Sequence, residues 1–182
     1  TQAIQNEDLE MVNWLERHGA VINVKNEAGE TPLTLAIKQG NPEILDIVVY
    51  RSSASLKNKL GESPLCLAID QYSELEFIDL LIRKGAKVNR KSNGITPLAL
   101  ATQSNKIAAV ALLIKNGADP TKANKNGDTP LTIAIDQGYD AIAGMLVHNS
   151  SDPTQYANHK NELGVPVLVL AAQKGNDRIV RT

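Results

Sequence analysis

Gly29-Glu30-Thr31-Pro32-Leu33 decides the fold, because it comes back. Gly61-Glu62-Ser63-Pro64-Leu65, Gly94-Ile95-Thr96-Pro97-Leu98 and Gly127-Asp128-Thr129-Pro130-Leu131 repeat it, with the glycines 32, 33 and 33 residues apart. A degraded fifth copy, Gly164-Val165-Pro166-Val167-Leu168, follows 37 residues on. A fixed period of this size is the signature of a chain built from stacked repeats. Thr or Ser followed by Pro also has a local meaning. The hydroxyl takes an orphan backbone N–H at a helix N-cap, and Pro at the first helical position has no N–H to leave unpaired. A short first helix should therefore begin at each Pro. Gly40, Gly138 and Gly175 stop it as left-handed residues, with Asn105 in the fourth copy as the next best choice. A second helix follows at once and ends near Gly19, Ser52, Gly85, Gly117 and Ser150.

The apolar positions form columns when the copies are superposed. First-helix columns read Leu33, Leu65, Leu98, Leu131, Leu168 and then Leu35, Leu67, Leu100, Ile133, Leu170. A small-residue column follows: Ala3, Ala36, Ala68, Ala101, Ala134, Ala171. Second-helix columns read Met11, Ile44, Phe77, Ala109, Ile142, Ile179, then Trp14, Ile47, Leu80, Leu112, Met145, then Leu15, Val48, Leu81, Leu113, Leu146. All are expected to be core. A single short helix pair cannot bury such faces alone, whereas stacked pairs shield one another.

These residues resemble the ankyrin repeat family: Gly-x-Thr-Pro-Leu, Leu-Ala, a Leu-rich second helix, and a Gly-Ala-Asp ending as in Lys115-Asn116-Gly117-Ala118-Asp119-Pro120 and Arg17-His18-Gly19-Ala20-Val21-Ile22-Asn23. The resemblance implies an all-α solenoid of antiparallel helix pairs joined by β-hairpin-like fingers. The expected organisation is one solenoid over 1–182, with repeats at 1–24 (partial), 25–56, 57–89, 90–122, 123–157 and 158–182 (partial). The family usually carries His after Thr-Pro-Leu. Here Thr34, Cys66, Ala99, Thr132 and Val169 stand there, which removes a familiar inter-repeat hydrogen bond. The third copy has an extra residue near Gln71-Tyr72-Ser73, and the last finger has about four extra within Thr154–Lys160. Residue 1 falls inside a first helix and residue 182 inside a second, so the expectation is a slice of a longer array. The opening residues Thr1–Asp8 do not read as a signal peptide.

Composition narrows the function. Nineteen Lys+Arg against 20 Asp+Glu leave a formal charge of −1, without the basic excess of a phosphate-backbone binder. Aromatics are 3% of the residues, too few for a base-stacking platform. The apolar runs are too short for a membrane span. One cysteine, Cys66, cannot form an intramolecular disulfide, which points to a reducing, cytoplasmic setting; for a secreted bacterial effector that setting would be the host cytosol.

No catalytic or cofactor constellation is legible. His18, His148 and His159 are dispersed, and a lone cysteine cannot supply a thiolate pair for zinc. No phosphate-binding glycine loop is present. Asp70 and Asp136 share a column two copies apart, roughly 20 Å at helix-stacking distance, too far for paired acid–base work. The expectation is therefore no enzyme activity, no cofactor, no metal and no small-molecule substrate.

Charges near the helix ends fit the helix dipole: Glu7/Asp8, Glu43, Glu74, Asp140 and Asp177 at the starts of second helices, and Arg17, Arg51, Arg83/Lys84, Lys115 and His148 at their ends. Asn26, Asn58, Asn124 and Asn161 read as Asx turns in the fingers. Fingertips and first-helix ends vary while the framework does not. In the resembled family such positions line a concave groove and bind protein partners. The candidate partner-binding residues are Glu27, Glu30, Lys38, Lys59, Leu60, Glu62, Asp70, Gln71, Arg90, Lys91, Asn93, Ile95, Gln103, Lys125, Asn126, Asp128, Asp136, Gln137 and Leu163. Leu60, Ile95 and Leu163 stand out as apolar tips without a packing role. Lys87, Arg90 and Lys91 form a basic patch suited to an acidic segment or anionic lipid, or simply a solvated loop. The expected function is a protein–protein interaction module; the alternative is a targeting or regulatory segment of a longer enzyme, channel or secreted effector.

Overall fold

The computed structural model describes residues 1–72, 75–149, 160–161 and 163–175. Ser73, Glu74, Ser150, Glu162, Asp177, Ile179, Val180 and the last finger as far as His159 lie outside them. Eleven helices and no strands are found among the described residues, in two compact units, Thr1–Lys87 and Val88–Thr182. The first unit holds α1 (Gln2–Gln5), α2 (Leu9–Arg17), α3 (Pro32–Gln39), α4 (Pro42–Arg51), α5 (Pro64–Gln71) and α6 (Leu75–Arg83). The second holds α7 (Pro97–Gln103), α8 (Ile107–Lys115), α9 (Pro130–Asp136), α10 (Asp140–His148) and α11 (Val167–Gln173).

Consecutive helices pair, α1 with α2, α3 with α4 and α5 with α6; the pairs stack through α1, α3 and α5, and α2 also packs on α4. In the second unit α7 pairs with α8 and α9 with α10, while α7, α9 and α11 stack in turn. The helix starts are those the sequence dictates. Thr31, Ser63, Thr96 and Thr129 are N-caps whose hydroxyls accept from the N–H groups of Thr34, Cys66, Ala99 and Thr132, and all four caps are buried. The Thr34 hydroxyl completes a capping box and donates to Glu30 Oε2 at 2.7 Å. Thr132 turns its hydroxyl to the Thr129 carbonyl at 2.9 Å. The threonines that replace the family's histidine are thus satisfied locally. Where the hydroxyl is lost, Pro166 sits at the N-cap of α11 without a side-chain bond.

The core follows the columns in part: in the second first-helix column Leu67 and Leu170 are buried while Leu35, Leu100 and Ile133 are half-buried, as are Leu15 and Phe77 in the second helices. Leu33, Leu65, Leu98 and Leu131 and the alanines Ala36, Ala68, Ala101 and Ala134 are buried, but Leu168 is 46% exposed: α11 packs on α9, and its buried residues are Val167, Leu170 and Ala171. The column of Trp14 is not core. Ile47, Leu80, Leu112 and Met145 are only half-buried, and Trp14 is 55% exposed, stacked on His18 at 4.0 Å. The buried column is instead Val12, Leu45, Ile78, Val110, Ala143. On a helix the deep positions here are i, i+1 and i+4, as in Ile44, Leu45 and Val48, which leaves i+3 at the edge of the apolar stripe. Met11, in the same column as the fully buried Ile44, is 44% exposed because α2 has no further second helix on its other side within the unit.

Among the described residues the fingers are turns without extended strands, two of them closed by an isolated antiparallel bridge, Ser92 with Ile95 and Lys160 with Pro166. Asn26, Asn58, Asn124 and Asn161 each accept, through Oδ1, the N–H four residues on at 2.8–3.0 Å. Each also donates its backbone N–H to the carbonyl of that same residue. The finger at Arg90–Ile95 has Lys91 in place of that Asn, and its turn changes. Ser92 and Ile95 exchange both backbone hydrogen bonds around Asn93 and Gly94, which have φ of +52° and +83°. Two positive φ values in a two-residue loop make a type I′ hairpin, and Asn-Gly is its preferred sequence. The Asn of the Gly-Ala-x-x-Asn ending ties one copy to the next: Asn23 Oδ1 accepts from Ser53 N–H and Asn89 Oδ1 from Asp119 N–H, each at 2.7 Å.

Candidate functional site

Within each unit, successive fingers sit directly on one another. The Gly29 carbonyl accepts from Lys59 N–H at 2.7 Å, and a Cβ added at Gly29 would overlap the Lys59 Cβ. In the second unit a Cβ at Gly94 would come within 2.9 Å of the Lys125 Cβ. These two glycines supply positive φ and also leave room for the neighbouring lysine stem. Lys59 and Lys125 therefore spend their methylenes on finger stacking; both residues remain exposed.

In the first unit three of the candidate residues bind each other. Lys38 Nζ lies 2.8 Å from Glu30 Oε1 and 2.7 Å from Glu62 Oε2, bridging two fingers. Asn58 Nδ2 donates to Glu62 at 2.6 Å and to Glu30 at 3.0 Å. Burial works to raise the Glu30 carboxyl, yet hydrogen bonds from Lys38, Thr34 and Asn58 hold it below its ordinary value. The Lys38 hydrogen bond holds Glu62 low as well. Burial works to lower Lys38, and its two carboxylate partners nonetheless raise it. The other first-unit candidates, Glu27, Leu60, Asp70 and Gln71, are exposed, Leu60 at 66%.

In the second unit the structure gathers six candidates around one cleft of about 480 Å³: Gln103, Asn126, Asp128, Asp136, Gln137 and Leu163. They come from the end of α7, the α9 finger, the end of α9 and the next finger. Asn124, Asn161, Thr132 and Ile133 complete the wall. The Oδ1 atoms of the two asparagines hold the turns, as their sequence position implies, and the same residues also face the cleft. Lys174 lies 3.3 Å from Asp136, and Leu163 is 80% exposed at the rim. Arg90, Lys91 and Asn93 are exposed on the first finger of this unit. Ile95 is half-buried inside its hairpin, so it is not the bare apolar tip its position suggested.

The polar part of the lining is carboxamides, carboxylates and a hydroxyl, and Ile133 and Leu163 supply the apolar part. No group of three or more His, Cys, Asp or Glu among the described residues could hold a metal ion, and Cys66, the one cysteine of the chain, is buried. No helix among them is long and apolar enough to cross a membrane.

A family model described as "Ankyrin repeats (3 copies)" matches residues 1–92 and 75–157. The chain belongs to the ankyrin repeat family. Two solved structures show the same fold. An ankyrin repeat domain from Acinetobacter baumannii AYE is 22% identical, with a TM-score of 0.86, covering 99% of this chain and 93% of that one. The ankyrin repeat protein EF0377 is 24% identical, with a TM-score of 0.81, covering 99% and 93%. No curated protein matches the chain. Ankyrin repeats are in general protein–protein interaction modules and are typically non-catalytic.

Proposed function

We propose that this ankyrin repeat chain is a non-catalytic protein-binding module, and that the finger and first-helix side of residues 103–137 and 161–163 receives an extended partner segment. The observation that carries the reading is the convergence of six variable positions on one cleft. Its wall offers carboxamide donors and acceptors at Gln103, Asn126 and Gln137, and amide N–H donors at Asn124 and Asn161, whose oxygens hold their turns; these suit the backbone of an extended chain. Asp128 and Asp136 favour a basic segment, and exposed Leu163 offers an apolar anchor at the rim. Glu30, Lys38 and Glu62 serve to stiffen the first-unit fingers, since they already bind one another. A buried Cys66, the one cysteine of the chain, suits an intracellular, reducing setting.

The test is a selection of binders from a random peptide library on the immobilised protein, followed by calorimetry of the enriched peptides. Gln103→Ala, Asn126→Ala, Asp136→Lys and Leu163→Ser combined should weaken them by about tenfold or more, with helical circular dichroism retained. Enriched peptides should carry Lys or Arg. Peptides that bind the combined variant as tightly as the parent would place the site elsewhere.

A further inference from the structure

A second cleft, of about 560 Å³, opens in the first unit between α4 and α6, and no finger residue lines it. Its origin is legible in the chain. From the first-helix alanine to the first second-helix column there are eight steps in five copies (Ala3 to Met11, Ala36 to Ile44, Ala101 to Ala109, Ala134 to Ile142, Ala171 to Ile179). In the third copy there are nine, from Ala68 to Phe77. α4 and α6 correspondingly pack less closely than α2 on α4 or α8 on α10. Instead of closing as a left-handed glycine turn, α5 ends at Tyr72 in extended backbone. The Tyr72 hydroxyl donates to the Ile37 carbonyl at 2.9 Å, and its ring lies 5.5 Å from that of Phe77.

The lining is chemically unusual for this protein. Tyr50, Tyr72 and Phe77 are three of the chain's six aromatic residues. Asp46 and Glu76 share the cleft, and neither carboxylate makes a hydrogen bond or ion pair among the described residues. The guanidinium that also borders it, Arg83, is already paired with Asp79 at 2.9 Å. Aromatic faces carry negative potential, so rings and carboxylates without a partner among the described residues together make a site for positive charge. The protein shows this on one ring: Lys84 Nζ sits 4.1 Å from the centroid of Tyr50. A bare metal ion is a poor match, because hard cations need many oxygen ligands and this lining is largely ring and aliphatic carbon. The volume is that of a small-ligand site.

We propose that this cleft binds an organic ammonium ion, its charge held between the Tyr50, Tyr72 and Phe77 rings and the carboxylates of Asp46 and Glu76, its short apolar body against Leu80. The site shares no residue with the finger cleft, so either can fail without the other. The experiment is an NMR titration of the full chain with choline and with its neutral isostere, 3,3-dimethylbutan-1-ol. Choline should give saturable shifts at Tyr50, Tyr72 and Phe77, and the neutral isostere should bind about tenfold more weakly or not at all. Asp46→Asn with Glu76→Gln, both at exposed positions, should weaken choline by a similar factor while amide-shift dispersion elsewhere is kept; Tyr50→Leu should do the same. Equal binding of the isostere, undiminished choline binding in the double variant, or no saturable shifts at high millimolar choline would overturn the proposal.

Discussion

Glu7 occupies the position that Gly40 holds one copy later, and it takes the same left-handed backbone, with φ of +54° against +77°. The sequence made it look like one more acid beside a helix start, since nothing in its identity signals positive φ. Its neighbour Asp8 does accept from Met11 N–H at 2.9 Å as an N-cap. Left-handed backbone costs a non-glycine side chain roughly 1 kcal/mol. Among the described residues the Glu7 carboxylate accepts one hydrogen bond, a long one of 3.5 Å from Asn41 Nδ2. Glu7→Gly should therefore raise stability by about 0.5–1 kcal/mol, read as a shift in the urea midpoint; a lower midpoint would mean that the glutamate contact outweighs the strain. The other residue-scale expectation concerns Lys38. Glu30 and Glu62 titrate below their ordinary range, so the stability they supply is present above that range and is lost as pH falls through the lowered values. Lys38 titrates above its ordinary range, so its share is complete below that range and is lost as pH rises through the raised value. The network is thus intact from about pH 5 to 10. Lys38→Met should flatten both limbs of the stability–pH profile, with a modest loss at neutral pH because the pair is partly exposed. An acid limb as steep as the parent's would show that the network is not felt.

At the scale of elements, the helix starts were fully readable because Thr/Ser-Pro encodes a cap and a first turn at once. Thr31, Ser63, Thr96 and Thr129 all behave so. Depth was less readable. An apolar column shows that a position is on the helix's apolar stripe, not how far it lies from the edge; hence Trp14 and its column lie shallower than the pattern suggests, and Val12 with its column lies deeper. Turn type depended on a single residue, Lys91, that breaks the asparagine series and shifts the hairpin onto Asn93-Gly94. The finger cleft was legible as a set of variable positions, but their grouping was not, because Glu30, Lys38 and Glu62 pair off with one another while Gln103, Asp136 and Leu163 line a common cleft. The alanine column gives a direct test of element packing. Ala101 is fully buried on α7, which packs on both α8 and α9. Ala101→Leu should overpack this contact and lower stability by about 1–3 kcal/mol; an unchanged melting temperature would mean the three helices can spread without loss.

At the scale of the whole molecule, a chain of repeats holds itself together by neighbour contacts, so damage should stay near its source. Each unit has its own buried set: Ile37, Ile44, Ile69 and Leu81 in Thr1–Lys87, and Leu98, Leu113, Ile135 and Ile142 in Val88–Thr182. Ile142 is completely buried on α10, which packs against α9 and α8. Ile142→Ala removes three carbons from that core and should cost about 2–5 kcal/mol. In a globule with one shared core, such a loss would lower hydrogen-exchange protection everywhere by the same amount. In a stack of repeats it should fall first on the amides of α9 and α10, then α8 and α7, and least on α1 to α4. Ile44→Ala should give the opposite gradient, because Ile44 is equally buried but belongs to the first unit. Two variants with the same flat loss of protection along the chain would mean that cooperativity spans all the repeats, and that the two units do not unfold as separate stretches of the stack.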